Sequence, residues 1–242
     1  MPPRDPKERL IVALDVEGLA QAESLLDRLQ GVVGTYKIGS QLFTACGPAA
    51  VELLQKRGCS VFLDLKFHDI PNTVAGAVRE AARLGVSMLN VHASGGTAML
   101  KAAAEATREA AREFNIAKPL CLAVTVLTSL DRALLQRELG VAVSVEGHVL
   151  HLAGLAKAAG LDGSVCSPQE IRTVRNALGQ EWIIVTPGVR PTGSGADDQV
   201  RVATPEAAIS AGADYLVVGR PITGAPEPAA AAIAILKAMA RA

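Results

Sequence analysis

The sequence predicts one α/β domain over residues 1–242, folded as a (β/α)8 TIM barrel. Short aliphatic and β-branched runs alternate eight times with longer stretches of helical spacing, and no linker or low-complexity tract divides them. Eight units in 242 residues leave about 30 residues each, the length of one strand–helix repeat. An open, doubly wound sheet stays as the structural alternative, because the pattern does not give the strand order.

The predicted strands are short apolar runs, as expected of barrel strands that are buried on both faces. They are Leu10–Val16, Tyr36–Gly39, Val61–Phe67, Met88–Ala93, Leu120–Leu127, Gly163–Cys166, Trp182–Thr186 and Tyr215–Gly219. The stretches between them are rich in Ala, Leu, Glu and Arg at helical spacing. They predict helices at Leu19–Gln30, Ala49–Arg57, Thr73–Leu84, Thr97–Phe114, Glu146–Ala159, Pro168–Leu178 and Pro205–Ala211, with a last helix after Pro228.

The composition excludes several classes of protein. With 50% hydrophobic and 20% charged residues, the chain is too apolar for a disordered segment. Lys and Arg total 24 against 24 Asp and Glu, so the bulk charge favours no polyanionic partner. An aromatic content of 3% also provides few platforms for stacking the bases of single strands. We therefore expect no nucleic-acid partner.

The sequence contains no segment typical of membrane insertion or secretion. The first ten residues are polar, and no run approaches the roughly 18 apolar residues of a membrane span. The four cysteines form no Cys-x-x-Cys pair, so reduced, mostly buried thiols are expected instead of a zinc site or a disulfide framework. These features predict a cytoplasmic protein without a membrane partner.

Charged residues interrupt the C-terminal ends of the first three predicted strands, where barrels of this class place their chemistry. Asp15 ends the first strand, Lys37 lies in the second, and Asp64 and Lys66 lie in the third. Because side chains alternate along a strand, Asp64 and Lys66 share one face. That face must point into the barrel, since the apolar residues of the other face have to pack against the helices.

The charges of these four residues sum to zero. Each residue alone would fit an ion-pair network that closes the top of the barrel. Buried charge networks stabilise a fold poorly compared with apolar packing, and they persist mainly where they act. We therefore interpret the group as a catalytic constellation.

The third strand and the loop after it, Asp64-Leu-Lys-Phe-His-Asp-Ile-Pro-Asn-Thr73, resemble the signature of the orotidine 5'-phosphate decarboxylase family, whose members make UMP. Further motifs follow in the family's order between Leu10 and Thr223, one at or near each strand end. They are Ala-Leu-Asp15, Tyr-Lys37-Ile-Gly, Asn-Val-His92-Ala-Ser-Gly-Gly, Val-Leu-Thr128-Ser, Gly-Leu-Asp-Gly163, Thr-Pro187-Gly-Val-Arg190-Pro, Asp-Asp-Gln199 and Val-Val-Gly219-Arg220-Pro-Ile-Thr. The sequence departs from the family's pattern at none of the positions that the family uses.

The resemblance implies decarboxylation of orotidine 5'-phosphate without a metal or other cofactor. It implies that Lys66 stabilises the carbanion formed at C6 and protonates it, and that Asp64 lies beside the departing carboxylate. Asp15 and Lys37 would bind the ribose hydroxyls, and Lys37 would also hold the catalytic network in place.

The resemblance also implies a homodimer with two shared active sites. Asp69 lies beyond the strand end, so strand alternation does not direct it into the barrel. In the family this aspartate acts in catalysis, and together with the equivalents of Ile70 and Thr73 it reaches across the dimer interface into the partner's site.

Two segments predict the phosphate end of the site. Gly219 and Arg220 follow the eighth strand, where barrels commonly bind phosphate on backbone N–H groups, and Arg220 adds a planar cation; a plain surface arginine is the alternative. The segment from Arg190 to Gln199 is polar, contains glycine and is long for such a loop, which predicts a lid. The resemblance places Gln199 and Arg220 on the phosphate and Arg190 in the same mobile loop.

Four further residues lie in the family motifs. Thr128 resembles the residue that meets the pyrimidine edge, although a plain loop cap fits it too. Pro187, in the motif after the seventh strand, is assigned to substrate contact. His68 and His92 lie in family motifs, and a structural role is the simpler interpretation of both.

Two other functions remain open. A magnesium-dependent sugar-phosphate decarboxylase or aldolase of the same superfamily shares the Asp-x-Lys-x-x-Asp motif. Such enzymes carry a metal-binding glutamate where this sequence has Lys37, and an ammonium group there opposes Mg²⁺ binding. A barrel that binds nucleotide without catalysis is the second alternative, and the presence of both Lys66 and Asp64 disfavours it.

Overall fold

The computed structural model of the chain describes residues 5–191 and 202–242. Eight parallel strands close a barrel in sequence order, with β1 paired to both β2 and β8. The strands are β1 Leu10–Leu14, β2 Thr35–Gly39, β3 Ser60–Phe67, β4 Met88–His92, β5 Leu120–Val124, β6 Gly163–Val165, β7 Ile183–Thr186 and β8 Tyr215–Val218. The predicted (β/α)8 barrel is confirmed, and the open-sheet alternative is wrong.

Helices surround the barrel, and every predicted helix is present; their ends lie within two residues of the expected ones except at Pro168, where a 3-10 turn precedes a helix that begins at Ile171. The helices are α1 Pro6–Arg9, α2 Leu19–Leu29, α3 Ser40–Cys46, α4 Ala49–Lys56, α5 Pro71–Arg83, α6 Gly96–Glu113, α7 Arg132–Leu139, α8 Val145–Ala158, α9 Ile171–Leu178, α10 Pro205–Ser210, α11 Arg220–Thr223 and α12 Pro228–Met239. Single 3-10 turns at Ala93–Gly95 and Pro168–Glu170 precede α6 and α9. The short helices α1, α3, α7 and α11 were not predicted.

Two apolar layers fill the molecule because alternate strand residues face opposite sides of the sheet. The outer layer packs the strands against the helices and includes Val12, Ile38, Leu63 and Val91. The inner layer fills the barrel itself with Ile11, Ala13, Phe62, Met88, Leu122, Ile183, Val185, Tyr215 and Val217. This filling leaves the C-terminal ends of the strands as the place where a ligand can enter.

Two predicted strands end two or three residues earlier than expected. β1 stops at Leu14 and β5 at Val124, so Val16 and Leu127 lie in the loops that follow. The residues after β5 are apolar for another reason: Val126 and Leu127 lie in the loop and line a pocket above the barrel. The apolar run, which Thr125 alone interrupts, therefore overestimated the length of the strand. Of the helices in the described ranges, none combines the length and apolarity that a membrane span requires.

The C-terminal part of β3 is irregular. Its pairing with β4 passes from Leu63 opposite Leu89 to Phe67 opposite Val91, so β3 gains two residues over its neighbour. Within this bulge Lys66 has a φ of 53°, in the left-handed region that non-glycine residues rarely adopt. Simple strand alternation, from which the inward direction of Lys66 was predicted, does not continue through the bulge.

The tight interior of the barrel gives a prediction at Gly163, in the inner layer of β6. A Cβ atom added there would lie 2.3 Å from the carbonyl oxygen of Ile183, which is backbone and cannot move aside. We expect Gly163→Ala to lower the free energy of unfolding by about 1–3 kcal/mol, measured by urea denaturation. The control is Gly154→Ala in α8, where nothing lies within 4 Å of the added atom. That change should be neutral or stabilising, and an equal loss in both variants would contradict the prediction.

Candidate active site

A pocket of about 480 Å³ opens at the C-terminal ends of the strands. Its size suits one small ligand. Apolar side chains from inside the barrel and from the loop after β5 form its floor and one wall. The predicted site residues in its lining are Asp15, Lys37, Asp64, Lys66, Thr128, Pro187, Arg190, Gly219 and Arg220.

The four predicted strand-end charges form one continuous chain of ion pairs. The Asp64 carboxylate lies at its centre, with Oδ1 2.7 Å from Lys66 Nζ and Oδ2 3.2 Å from Lys37 Nζ. Lys37 Nζ also lies 3.0 Å from Asp15 Oδ1. The charges alternate in sign along the chain, so each inner member has an opposite charge on both sides.

The inner members of the chain remain charged although they are buried. Burial alone would lower the pKa of Lys37, but attraction to Asp64 and Asp15 outweighs burial and raises it. Burial would likewise raise the pKa of Asp64, and the ammonium groups of Lys37 and Lys66 lower it instead. Around neutral pH the two buried members, the Lys37 ammonium and the Asp64 carboxylate, are therefore both charged.

Exposure differs along the chain of charges. The side chains of Lys37 and Asp64 are 10% and 12% exposed, whereas those of Lys66 and Asp15 are 34% and 59% exposed. The two end members can therefore reach a ligand in the pocket, while the two inner members fix their positions.

Gly39 makes room for this arrangement. It lies opposite Asp64 in the pairing of β2 with β3. A Cβ atom on Gly39 would lie 2.9 Å from Lys37 Nζ and 3.2 Å from Asp15 Oδ1. The absence of a side chain at this position lets the Lys37 ammonium reach both carboxylates.

Asn90 of β4 is a site residue that the sequence analysis missed. Its side chain is buried; Nδ2 donates to Asp64 Oδ1 at 2.7 Å, and Oδ1 accepts from the backbone N–H of Lys66 at 2.8 Å. The sequence did contain a signal, because asparagine is uncommon inside an apolar strand. Asn90 begins the motif Asn-Val-His92-Ala-Ser-Gly-Gly, but the motif alone assigned it no role.

The predicted phosphate end lies on the other side of the pocket, after β7 and β8. Arg190 is 7% exposed, and its backbone N–H donates to the carbonyl oxygen of Ala203 at 2.9 Å. Arg190 is thus part of the pocket wall. Gly219 and Arg220 lie at the N-terminal end of α11 and also line the pocket. Gln199 and most of the predicted lid lie outside the described residues.

Three predicted residues do not line the pocket of their own chain. Asp69, Ile70 and Thr73 are exposed, and the side chain of Asp69 accepts a hydrogen bond from the backbone N–H of Ile70 at 2.6 Å. Ile70 is 67% exposed, which is high for a large apolar side chain. These residues form a surface next to the pocket, at the start of α5.

His68 and His92 pack against each other beside the charged chain, with ring centroids 5.3 Å apart. Burial, then the nearby His68 and Lys66, lower the pKa of His92. The neutral form of His92 is therefore favoured. Across the described ranges of the chain, no group of three or more His, Cys, Asp or Glu residues is arranged to hold a metal ion.

The fold and the site together define the class of (β/α)8 barrel enzymes whose pocket carries fixed charges at the strand ends. Comparison with protein families matches residues 8–235 to the orotidine 5'-phosphate decarboxylase / HUMPS family, and the chain belongs to this family.

Similar proteins cover nearly the whole chain. A protein of Moorella thermoacetica named orotidine 5'-phosphate decarboxylase is 60% identical, covering 95% of this chain and 91% of its own length. One of Syntrophotalea carbinolica with the same name is 54% identical, covering 98% and 96%. The crystal structure of orotidine 5'-phosphate decarboxylase from Lactobacillus acidophilus superimposes with a TM-score of 0.84 at 38% identity, covering 95% and 98%.

The lowered pKa of Asp64 gives a prediction for stability against pH. A carboxyl group with a lowered pKa in the folded state contributes stability that is complete above its unfolded pKa of about 3.9 and is lost as the pH falls towards the folded value. The difference in unfolding free energy between wild type and Asp64→Asn should therefore be constant from about pH 5 to 8 and should shift against wild type below about pH 4.

Urea denaturation at a series of pH values measures this difference. The prediction concerns how the difference changes with pH, so it holds whether the variant is more or less stable than wild type at neutral pH. Glu138→Gln, which changes an exposed carboxylate on α7, is the control and should show a smaller shift. A difference for Asp64→Asn that does not vary with pH would show that the carboxyl group titrates as in the unfolded chain.

Proposed function

We propose that this chain decarboxylates orotidine 5'-phosphate to UMP, in pyrimidine biosynthesis, with Lys66 as the group that stabilises and protonates C6. The observation that carries the proposal is the Lys66 ammonium, held 2.7 Å from the Asp64 carboxylate in the wall of a pocket whose other side carries Arg220. The names of the close relatives support the same reaction.

The chemistry requires a fixed positive charge. When the bond between C6 and the carboxylate breaks, carbon dioxide leaves and the electron pair stays on C6, in the plane of the ring and outside the π system. The ammonium of Lys66 faces the developing charge and then transfers a proton from Nζ to C6. The resulting amine recovers a proton from water, which completes the cycle.

One charge does not account for the whole effect. A unit charge at about 3 Å in an effective dielectric near 20 contributes roughly 5 kcal/mol. Enzymes lower barriers by about 8 to 23 kcal/mol. The remainder must come from a preorganised site and from binding energy at groups distant from the reacting carbon. The barrel supplies both, because the two charged ends of the pocket lie on strands of one closed sheet.

Asp64 contributes in two ways. It holds the Lys66 ammonium in place, and its negative charge lies where the substrate carboxylate would approach. Repulsion between the two carboxylates is relieved as neutral carbon dioxide leaves. This role needs an ionised Asp64, which the attraction of Lys37 and Lys66 maintains by lowering its pKa.

The ends of the pocket suit the rest of the substrate. Asp15 and Lys37 can bind ribose hydroxyls, since both line the pocket and Asp15 is exposed. Gly219, Arg220 and Arg190 supply the phosphate end, and we assign Gln199 to the phosphate as well. Thr128 and Pro187 line the space between and would contact the pyrimidine.

The reaction proceeds without a metal ion. A divalent cation bound to Asp64 would have to displace two ammonium groups that already lie within 3.2 Å of its oxygens. Lys37 therefore occupies, electrostatically, the position that a metal would need. This disfavours the magnesium-dependent chemistry of the alternative enzymes of the superfamily.

The active unit is a homodimer with shared sites. Its support is the exposed surface of Asp69, Ile70 and Thr73 beside the pocket, whose apolar member Ile70 is 67% exposed in the single chain. The resemblance assigns Asp69 to the partner's site, where its carboxylate would extend the alternating charges next to Lys66.

The proposed function also bears on the domain organisation and the cellular location of the protein. We place the whole chain in one domain and in the cytoplasm, because charged nucleotides do not cross membranes unaided and the four cysteines, all in the described ranges, form no disulfide. A net charge of zero supports a small-molecule substrate in place of a nucleic acid.

The decisive experiment measures the loss of orotate absorbance when purified protein is mixed with orotidine 5'-phosphate in EDTA. We expect turnover, and Lys66→Ala should reduce kcat by roughly 10² to 10⁴-fold or more, because it removes the proton donor. The fold should remain, since Asp64 keeps Lys37 and Asn90 as partners. Lys56→Ala, which changes a 78% exposed lysine on α4, is the matched control.

Three results would count against the proposal. Absence of turnover by wild type would reject the function. Turnover lost in EDTA and restored by Mg²⁺ would reject the metal-free mechanism, and near-normal turnover by Lys66→Ala would reject the role of Lys66.

Arg220 should act through the phosphate. A charge-assisted bidentate contact contributes roughly 1.5–3 kcal/mol, or about 10- to 150-fold. Arg220→Ala should therefore lower kcat/KM strongly for orotidine 5'-phosphate and hardly at all for the unphosphorylated nucleoside. Arg172→Ala, on the exposed side of α9, should affect neither substrate. Equal losses on both substrates would place Arg220 in the catalytic network.

Shared sites can be tested by mixing inactive variants. Lys66→Ala and Asp69→Ala should regain activity under subunit exchange, because a heterodimer has one site with both residues intact and one with neither. Recovery should reach half of the wild-type activity per heterodimer. The control pair is Lys66→Ala with Lys37→Ala, which stays inactive because both residues come from the same chain. Verified heterodimers of the first pair without recovery would show that Asp69 serves its own chain.

A further inference from the structure

The backbone of β3 is interrupted next to the reacting group. Between Leu63 and Phe67 the strand runs four residues while β4 runs two, from Leu89 to Val91. Lys66 lies in this bulge with a φ of 53°, so its backbone N–H does not point to the regular partner of a parallel ladder. Something else must accept this hydrogen bond and hold the unusual conformation.

Asn90, between the two paired residues of β4, supplies that acceptor. Its Oδ1 accepts from the backbone N–H of Lys66 at 2.8 Å, while its Nδ2 donates to Asp64 Oδ1 at 2.7 Å. Only one orientation of the amide satisfies both bonds, since a carboxylate accepts and an N–H donates. The Asn90 side chain, in a residue 1% exposed, thus bridges the two members of the catalytic ion pair.

Asn90 and Lys66 both donate a hydrogen bond to the same carboxylate oxygen of Asp64. Asp64 Oδ1 accepts from Asn90 Nδ2 and also from Lys66 Nζ, each at 2.7 Å. Asn90 therefore fixes the Lys66 backbone at one end and, through Asp64, the Lys66 ammonium at the other. It is not among the residues that line the pocket, so it has no direct access to a ligand there.

We infer that Asn90 is a positioning residue, whose amide holds the left-handed backbone of Lys66 and the carboxylate of Asp64 in one geometry so that the Lys66 ammonium is aimed at the reacting carbon. The inference rests on the proposed function, and it concerns how that reaction is made efficient. It predicts that changes at Asn90 lower kcat and leave KM nearly unchanged, because substrate contacts stay intact.

The sharpest test is Asn90→Asp, which keeps the shape and an acceptor for the Lys66 N–H and replaces the donor to Asp64 by a carboxylate oxygen. At neutral pH kcat should fall roughly 10- to 100-fold, as expected of a misplaced reacting group. The loss should shrink as the pH is lowered, because the introduced carboxyl can donate to Asp64 once protonated. Asp64 and Lys66 bond to the Asn90 side chain directly, Lys37 is paired with the same Asp64 carboxylate, and His92 lies within electrostatic range of Asp64 and Lys66.

Asn90→Ala should show a comparable loss without the recovery at low pH, since no donor can be restored. Asn176→Asp on α9 introduces the same carboxyl group at an exposed position and should change neither kcat nor its pH profile. Urea denaturation shows which variants fold. If Asn90→Asp fails to fold, Asn90→Ser takes its place, because its hydroxyl is too short to bridge both partners.

A second measurement does not depend on turnover. Competitive acetylation with acetic anhydride, followed by mass spectrometry, compares the reactivity of Lys66 with that of exposed Lys56 in the same sample. In Asn90→Ala the ratio should rise, because a loosened Asp64 releases the Lys66 ammonium. This readout judges the positioning of Lys66 even if wild type fails to turn over orotidine 5'-phosphate, an outcome that would reject the proposed function alone.

Two outcomes overturn the inference. A folded Asn90 variant with wild-type kcat at every pH and an unchanged acetylation ratio shows that Asn90 does not position Lys66. Losses of activity that follow the urea midpoint, with no pH-dependent recovery and an unchanged ratio, show that Asn90 serves the stability of the fold only.

Discussion

The structure of the site depends on one carboxylate held between two ammonium groups. Asp64 is buried, and it remains ionised only because Lys37 and Lys66 lie at 3.2 and 2.7 Å on its two oxygens. The dependence is mutual, since Lys37 is buried as well and its pKa is raised by Asp64 and Asp15 against the effect of burial. Removing either inner member would leave its buried neighbour with one opposite charge instead of two, so the members of the set depend on one another.

The barrel had to depart from regular geometry to build this unit. Two extra residues in β3 carry Lys66 beyond the position that a regular strand would give it, and the strained backbone is retained by the Asn90 amide. On β2, the other neighbour of β3, Gly39 has no side chain, and this leaves room for the Lys37 ammonium to approach Asp64. Strain of this kind is stable only where the surrounding structure determines it, and here it lies at the reacting group.

These departures mark the limit of what the sequence could predict. The eight strands, the main helices and the charged strand ends were predictable, because they depend on apolar periodicity and on the rule that strand ends carry the chemistry. The bulge and the bridging role of Asn90 were not, because both arise from pairing between β3 and β4, which local pattern does not contain. The four-residue helices α1 and α11 were missed for a related reason, since a single helical turn has too little periodicity to be recognised.

The two ends of the pocket belong to different strands, and the sheet links them. Val218 of β8 pairs with Val12 of β1, Ala13 pairs with Lys37 of β2, and Gly39 pairs with Asp64 of β3. An unbroken hydrogen-bonded ladder thus joins the phosphate end to the ion pair. Binding energy at one end can assist chemistry at the other only if their separation is fixed to a fraction of an ångström. The hydrogen-bonded ladder fixes that separation, and because the barrel is closed none of the strands in it lies at a free edge.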